Sequence, residues 1–292
     1  MRVLVIGATG LVGTNTARYV EKRGHDVFET FHTEPDDTDA NVDGQLDKED
    51  EEAVVELVSD VEPDAVIDTA AFHDVDACEE ERDRAWRVNA QGTRNVALAA
   101  DEVGAQYVFI STDYVFAGRP EETPYVEEDA VSPVDYYAQT KYAGEQAAKI
   151  ADDWTVLRPS VIYGLAKPNF VTWALSELRD GESVGIVDDQ ISTPTYAPDL
   201  ARACVEVVED GVTGVYHSAG PESLSRYDFT VELAEVYGYD TDLVDPITTE
   251  ELGQDAPRPT DGSLDSSRLY DELGWEFSAP KEAFAEMKES EN

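Results

Sequence analysis

Three glycines at a spacing of three, in Gly7-Ala8-Thr9-Gly10-Leu11-Val12-Gly13, follow the apolar run Arg2 to Ile6. They precede a helical stretch that reaches Arg23 and stops at Gly24. A buried strand, a glycine turn and a helix in that order constrain the fold more than any other feature of the chain. The first glycine permits a tight turn, the second lets the backbone approach a phosphate, and the third lets helix pack closely on strand. The helix start adds free N–H groups and the positive end of its dipole. Gly7, Gly10 and Gly13 therefore point to the pyrophosphate of a dinucleotide.

The rhythm continues downstream. Strands are expected at His25 to Phe31, Asp64 to Thr69, Gln106 to Ser111 and Thr155 to Arg158. Helices are expected at Asp50 to Asp60, at Glu79 to Val103 as one long element, and at Val134 to Ala151. Alternation of this kind implies right-handed crossovers and a parallel sheet covered on both faces. The fold class is α/β: a Rossmann-like, doubly wound parallel sheet with a smaller C-terminal substrate lobe. After Gly164 loops lengthen and strands become isolated, although Tyr196 to Glu209 reads as a helix and Thr213 to His217 as a further sheet strand. The expected division is 1–163 with 190–219 for the dinucleotide domain, and 164–189 with 220–292 for the substrate lobe.

Composition excludes several classes. With 64 acidic against 21 basic residues the formal charge is −43, and no basic stripe exists to neutralise nucleic-acid phosphates. The acids are spread along the chain, as in Glu34-Pro35-Asp36-Asp37 and Glu79-Glu80-Glu81, which reads as a solvated acidic surface. Self-repulsion on this scale destabilises a compact state in dilute buffer, and at molar salt a Debye length of ~3 Å screens it. A cytoplasmic protein adapted to high internal salt fits that pattern. No apolar run approaches the ~20 residues of a membrane span. Met1 to Ile6 breaks at Gly7, too soon for a secretory signal, whose apolar region needs ~7–15 residues. Cys78 and Cys204 are expected as reduced, buried thiols, and no metal-ligand spacing is present.

The chemistry is carried by Tyr137 and Lys141, four residues apart and so on one helix face. Ser111-Thr112-Asp113-Tyr114 ends a strand about twenty-five residues upstream. A free phenol has a pKa of ~10, too high for efficient acid–base work at neutral pH. A cation within ~4–6 Å lowers it by about one to three pH units, the role expected of Lys141, which would also hold the nicotinamide ribose. Thr112 would donate to a substrate carbonyl oxygen as that oxygen gains charge, and Tyr137 would deliver the proton.

Cofactor choice is read at the end of the second strand, where an acid binds a ribose 2′-OH and an arginine accepts a 2′-phosphate. Here Thr30 stands closest to that acid, His32 suits either partner, and no arginine is near. Both NADPH and NADH are acceptable, with NADPH preferred. Asp47 either faces the adenine edge or serves as a helix cap or surface acid.

The glycine spacing resembles that of the short-chain dehydrogenase/reductase superfamily, in its extended branch. Longer stretches are more specific. Ser111-Thr112-Asp113-Tyr114-Val115-Phe116-Ala117-Gly118, Pro124-Tyr125 with Glu127, Pro133 and the Tyr137–Lys141 pair resemble the dTDP-4-dehydrorhamnose reductases. So do Asp68-Thr69-Ala70-Ala71-Phe72, Val75 to Glu79, Val88-Asn89, Asp189-Gln190, Pro194-Thr195, Asp199-Leu200-Ala201, and Arg258-Pro259 before Leu264-Asp265. The resemblance spans nearly the whole chain. It implies reduction of the 4-keto group of a dTDP-linked 6-deoxyhexulose, with Thr112, Tyr137 and Lys141 catalytic. It further implies that Asp113 and Tyr114 line the sugar, and that Gly10, Leu11, Val12, Ala71, Phe72 and His73 touch the cofactor.

Three departures stand out. Val161 occupies the place of a family Trp that packs against the sugar, Asp68 replaces a common Asn, and Thr30 replaces the cofactor-selecting acid. The metal-linked dimer of some members has no ligand set that can be placed here, and whether subunits pair as a homodimer is left open. Two alternatives are carried. One is a non-catalytic regulator resembling the beta subunit of methionine adenosyltransferase. The other is a nucleotide-sugar epimerase or dehydratase, although the dehydratases place a Glu where Tyr114 stands.

Overall fold

The computed structural model describes residues 1–33 and 42–291; the acidic run Glu34 to Asp37 lies outside them. Six strands of the central sheet, in chain order, are β1 (Arg2–Ile6), β2 (Asp26–Phe31), β3 (Gly44–Gln45), β4 (Ala65–Asp68), β5 (Gln106–Ile110) and β6 (Trp154–Arg158). The strand Gly214–His217 completes it. The order across the sheet is β3-β2-β1-β4-β5-β6 and then Gly214–His217, with every pair parallel. The order in which successive strands are added reverses between β1 and β4. Their register pairs Ile6 with Asp68, so both strands end level and open a crevice at their carboxyl ends.

The sheet is apolar on both faces because both are covered. Val3 and Val5 pack with Val20, Leu200 and Cys204, while Leu4 and Ile6 pack with Val54, Val58, Val96 and Ala97. One layer comprises α1 (Leu11–Lys22) and the helix Ala197–Glu209. α2 (Glu51–Val61) contributes to the other and starts at Asp50, whose carboxylate accepts from the Ala53 N–H.

The expected single helix from Glu79 to Val103 is four pieces. These are α3 (Val75–Glu80), α4 (Arg82–Trp86), a π-helical turn at Arg87–Gly92, and α5 (Thr93–Val103). α3 starts earlier than expected because Asp74 caps it, accepting from the Ala77 N–H. The π turn holds the buried Asn89 and leaves Gly92 against the Lys48 side chain, where a Cβ would stand 2.7 Å from Lys48 Cγ. Hydrophobic periodicity does not register such a widened turn, so the sequence read straight through it. α6 (Tyr136–Ala148) is also shorter than expected, because Asp135 caps it after Pro133.

Toward the C-terminus, the helices Phe170–Asp180, Arg226–Tyr237 and Pro280–Ser290 gather a separate apolar cluster around Tyr163, Phe229 and Phe284. Leu269 and Phe277 instead join the cluster under the main sheet. Both cysteines are free and buried. Among the described residues no helix is long and apolar enough to cross a membrane. Nor does any group of three His, Cys, Asp or Glu among them offer a metal site.

Candidate active site

The glycine turn has the form expected of a phosphate cradle. Gly7 adopts φ +82° and abuts Ala70, where a Cβ would stand 3.0 Å from the Ala70 N. At Gly13 a Cβ would lie 2.2 Å from the Gly7 carbonyl oxygen, so only glycine lets α1 start this close to β1. Gly10 differs: a Cβ there would meet only the Gly7 oxygen, at 3.4 Å, and the position faces open space. Gly10 caps α1 without a side-chain hydrogen bond, and Leu11 and Val12 form the first turn with partly exposed side chains. Open backbone beside an uncapped helix start suits a pyrophosphate, and these residues fit a dinucleotide.

Across the crevice lies the loop after β4. Ala71 and Phe72 are partly exposed and His73 is exposed. Phe72 is held at both backbone groups by Asn89: its N–H donates to Asn89 Oδ1 (2.8 Å) and its carbonyl accepts from Asn89 Nδ2 (2.9 Å). The same amide donates to Thr140 Oγ1 (3.0 Å), which ties the loop to α6. Beneath it, Lys48 Nζ donates to Asp68 Oδ2 (2.6 Å) and to the Ala70 carbonyl (2.9 Å). Tyr107 also donates to Asp68 Oδ2 (2.9 Å), and the Ala70 N–H donates to Asp68 Oδ1 (3.1 Å).

At the cofactor-selecting end, Thr30 is buried and its hydroxyl turns into the sheet toward the Val5 carbonyl (3.4 Å). The exposed groups there are His32 and Asp47, whose Nε2 and Oδ2 stand 3.7 Å apart. Asp47 also accepts from the Glu49 N–H (2.9 Å), closing a turn ahead of α2, while the helix cap is Asp50.

The candidate reaction centre lies where β5 meets α6. Thr112 and Asp113 are buried, and Thr112 Oγ1 donates to Asp113 Oδ1 (3.0 Å). The Thr112 hydroxyl lies close enough to the Tyr137 phenol to favour its ionised form. Tyr114 meets Tyr137 edge-on, with ring centroids 6.1 Å apart. Ser111, the neighbouring hydroxyl, is engaged elsewhere: it donates to Glu145 Oε1 (2.7 Å), which with Oε2 also receives Arg158 at 2.8 Å on each oxygen. Lys141 Nζ donates to the Ile110 carbonyl (2.6 Å) and lies 4.2 Å from the Phe109 ring centre.

The electrostatics differ from the sequence expectation. Desolvation raises the Tyr137 phenol above its ordinary value, Asp113 and Asp135 push it further, and the Thr112 hydroxyl opposes them. The Lys141 ammonium is spent on a carbonyl rather than on the phenol, and burial brings it down to about 7, with Lys48 acting in the same direction. Burial also raises Asp113 to about 6, against the bonds it accepts from Ser160 and Thr112.

Ser160, Asn89, Lys48 and Arg226 were not singled out from sequence. Ser160 donates to Asp113 Oδ2 (2.6 Å) and precedes Val161, whose φ of 42° lies in the left-handed region. That backbone costs a β-branched residue roughly 1–3 kcal/mol. It is held by the bond from the Thr195 N–H to the Val161 carbonyl (3.2 Å) and by that from the Ser160 N–H to Thr195 Oγ1 (3.1 Å). Asn89 lay within a matching motif, but its target is a backbone that only the fold brings near.

Residues 1–291 match the RmlD substrate binding domain family. A dTDP-4-dehydrorhamnose reductase from Mycolicibacterium smegmatis is 36% identical over 270 residues, covering 91% of this chain and 79% of that protein. The probable low-salt glycan biosynthesis reductase Agl14 of Haloferax volcanii is 34% identical, covering 94% and 93%. The structure of a dTDP-4-dehydrorhamnose reductase from Bacillus anthracis in complex with NADP superposes with a TM-score of 0.88 at 32% identity, covering 99% of each chain. This chain belongs to the dTDP-4-dehydrorhamnose reductase family, within the extended short-chain dehydrogenase/reductase superfamily.

Proposed function

We propose that the protein is an NADPH-dependent reductase of the 4-keto group of a dTDP-linked 6-deoxyhexulose, acting in dTDP-L-rhamnose synthesis. The observation that carries this reading is the convergence of Thr112 and Tyr137 at the end of β5, with Lys141 bonded to the Ile110 carbonyl there, beside a glycine turn that fits a dinucleotide. A nicotinamide held in the crevice supplies hydride to the carbonyl carbon. The Tyr137 phenol, protonated at neutral pH, gives its proton to the carbonyl oxygen as that oxygen becomes negative. Thr112 donates to the same oxygen, and Lys141 holds the cofactor's ribose. Gly7, Gly10, Leu11, Val12 and Gly13 would take the pyrophosphate. Ala71, Phe72 and His73 would wall the crevice, and Thr30, His32 and Asp47 stand at the adenosine end. Asp113 and Tyr114 line the sugar, with residues 164–189 and 220–292 as the substrate-side lobe.

Turnover is tested by following NADPH and NADH oxidation with dTDP-4-dehydro-6-deoxy-L-mannose made in place by upstream enzymes. Tyr137→Phe should lower kcat/KM by roughly 100- to 10,000-fold while NADPH affinity stays within about threefold. Near-normal turnover in that variant overturns the assignment.

The acidic excess supports a cytoplasmic setting of high salt, in which repulsion among 64 acids is screened. Thermal melts should then rise steeply from dilute buffer to molar KCl, and a flat response rejects the idea.

A further inference from the structure

A nucleotide sugar is polyanionic, and this chain carries a formal charge of −43. Bringing the two together requires a local cation not already committed to a carboxylate. Several cations around the site are committed: Lys48 to Asp68, Arg158 to Glu145, and Arg258 to Asp76. Arg226 is different. It is partly buried, forms no ion pair with any described residue, and its guanidinium lies over the Phe170 ring, 5.5 Å from the centroid.

A chain of backbone contacts links Arg226 to Asp113. Its N–H donates to the Gln190 carbonyl (3.1 Å), and the next residue, Ile191, accepts from the Gly262 N–H (2.9 Å). Gly262 in turn packs on Asp113, so closely that a Cβ would stand 2.9 Å from Asp113 Oδ2. The guanidinium is near enough that its charge opposes the burial-driven rise of both Asp113 and Tyr114. An arginine held against a ring and left without a carboxylate presents a planar fork of N–H donors, which matches two phosphate oxygens.

We propose that Arg226, backed by Phe170, anchors the diphosphate of the nucleotide sugar, a subsite that rests on the reductase reading above. It supplies binding rather than chemistry, so its loss should appear in KM and in product-nucleotide affinity and leave kcat nearly unchanged.

The experiment compares the parent protein, Arg226→Met and Arg226→Lys by calorimetric titration with dTDP and with NADPH, and by keto-sugar reduction. Arg226→Met should weaken dTDP by roughly 10- to 100-fold and raise the keto-sugar KM similarly, with kcat and NADPH affinity within about threefold. Arg226→Lys should recover part of the loss. Unchanged dTDP affinity in Arg226→Met, equal loss of dTDP and NADPH, or a parent that binds no dTDP would overturn the subsite. A parent that binds dTDP through Arg226 yet reduces no keto-sugar would keep the subsite and overturn the reaction. A turning-over enzyme whose KM ignores Arg226 would do the reverse.

Discussion

Two lysines reach the carboxyl end of the sheet from different segments and meet different fates. Lys48 arrives from the segment before α2 and Lys141 from α6, and both are nearly fully buried, at 4% and 3% exposure. Lys48 ends on a carboxylate, Asp68, at 2.6 Å, and adds a bond to the Ala70 carbonyl. Lys141 ends on a carbonyl and a ring face. A buried ammonium with a matched carboxylate is fixed in place, and here it also bonds the loop that walls the crevice. A buried ammonium without one holds its proton weakly, and groups of that kind concentrate where chemistry occurs. The contrast separates an ammonium paired with a carboxylate from one held by a carbonyl and a ring.

The largest way to break this comparison is to remove one partner of the holding pair. Lys48→Met leaves the Asp68 carboxylate buried with only the Tyr107 hydroxyl and the Ala70 N–H. That should cost about 3–5 kcal/mol in urea unfolding. Adding Asp68→Asn removes the stranded charge while keeping one acceptor oxygen, so the double variant should recover most of the loss. Single and double variants of equal stability would mean that the pair is not what holds this end of the sheet.

How much of this was legible beforehand follows the range of each contact. The glycine turn, the strand–helix alternation and the Tyr137–Lys141 spacing are local patterns, and the structure gathers them at the crevice. Asp68 was noticed as a departure, but its partner lies twenty residues away in sequence and no periodicity links them. Val161 was noticed as a small residue in place of a large one; its left-handed backbone is imposed by Thr195 and is invisible in its own neighbourhood. The long helix was misread at the π turn, because an extra residue in one turn leaves hydrophobic spacing on either side intact. The misjudged Tyr137 acidity has a similar origin. Spacing puts Lys141 on the same helix face, but only the fold shows its ammonium bonded to the Ile110 carbonyl.

A smaller effect sharpens the comparison by reading Lys141 through pH. The unfolded chain holds that proton up to about the ordinary 10.5, whereas the folded protein releases it near 7. Between those values the unfolded state binds more protons, so stability rises with pH across the window and is lost as pH falls toward 7. Each pH unit is worth up to about 1.4 kcal/mol. Lys141→Met, which has no proton to lose, should therefore be more stable than the parent at pH 7, with the gap closing as pH approaches 10. Urea titrations of both proteins at pH 7, 8 and 9 measure this directly. A gap that stays constant would place the Lys141 proton on the same footing folded and unfolded, and the two lysines would then differ in their partners alone.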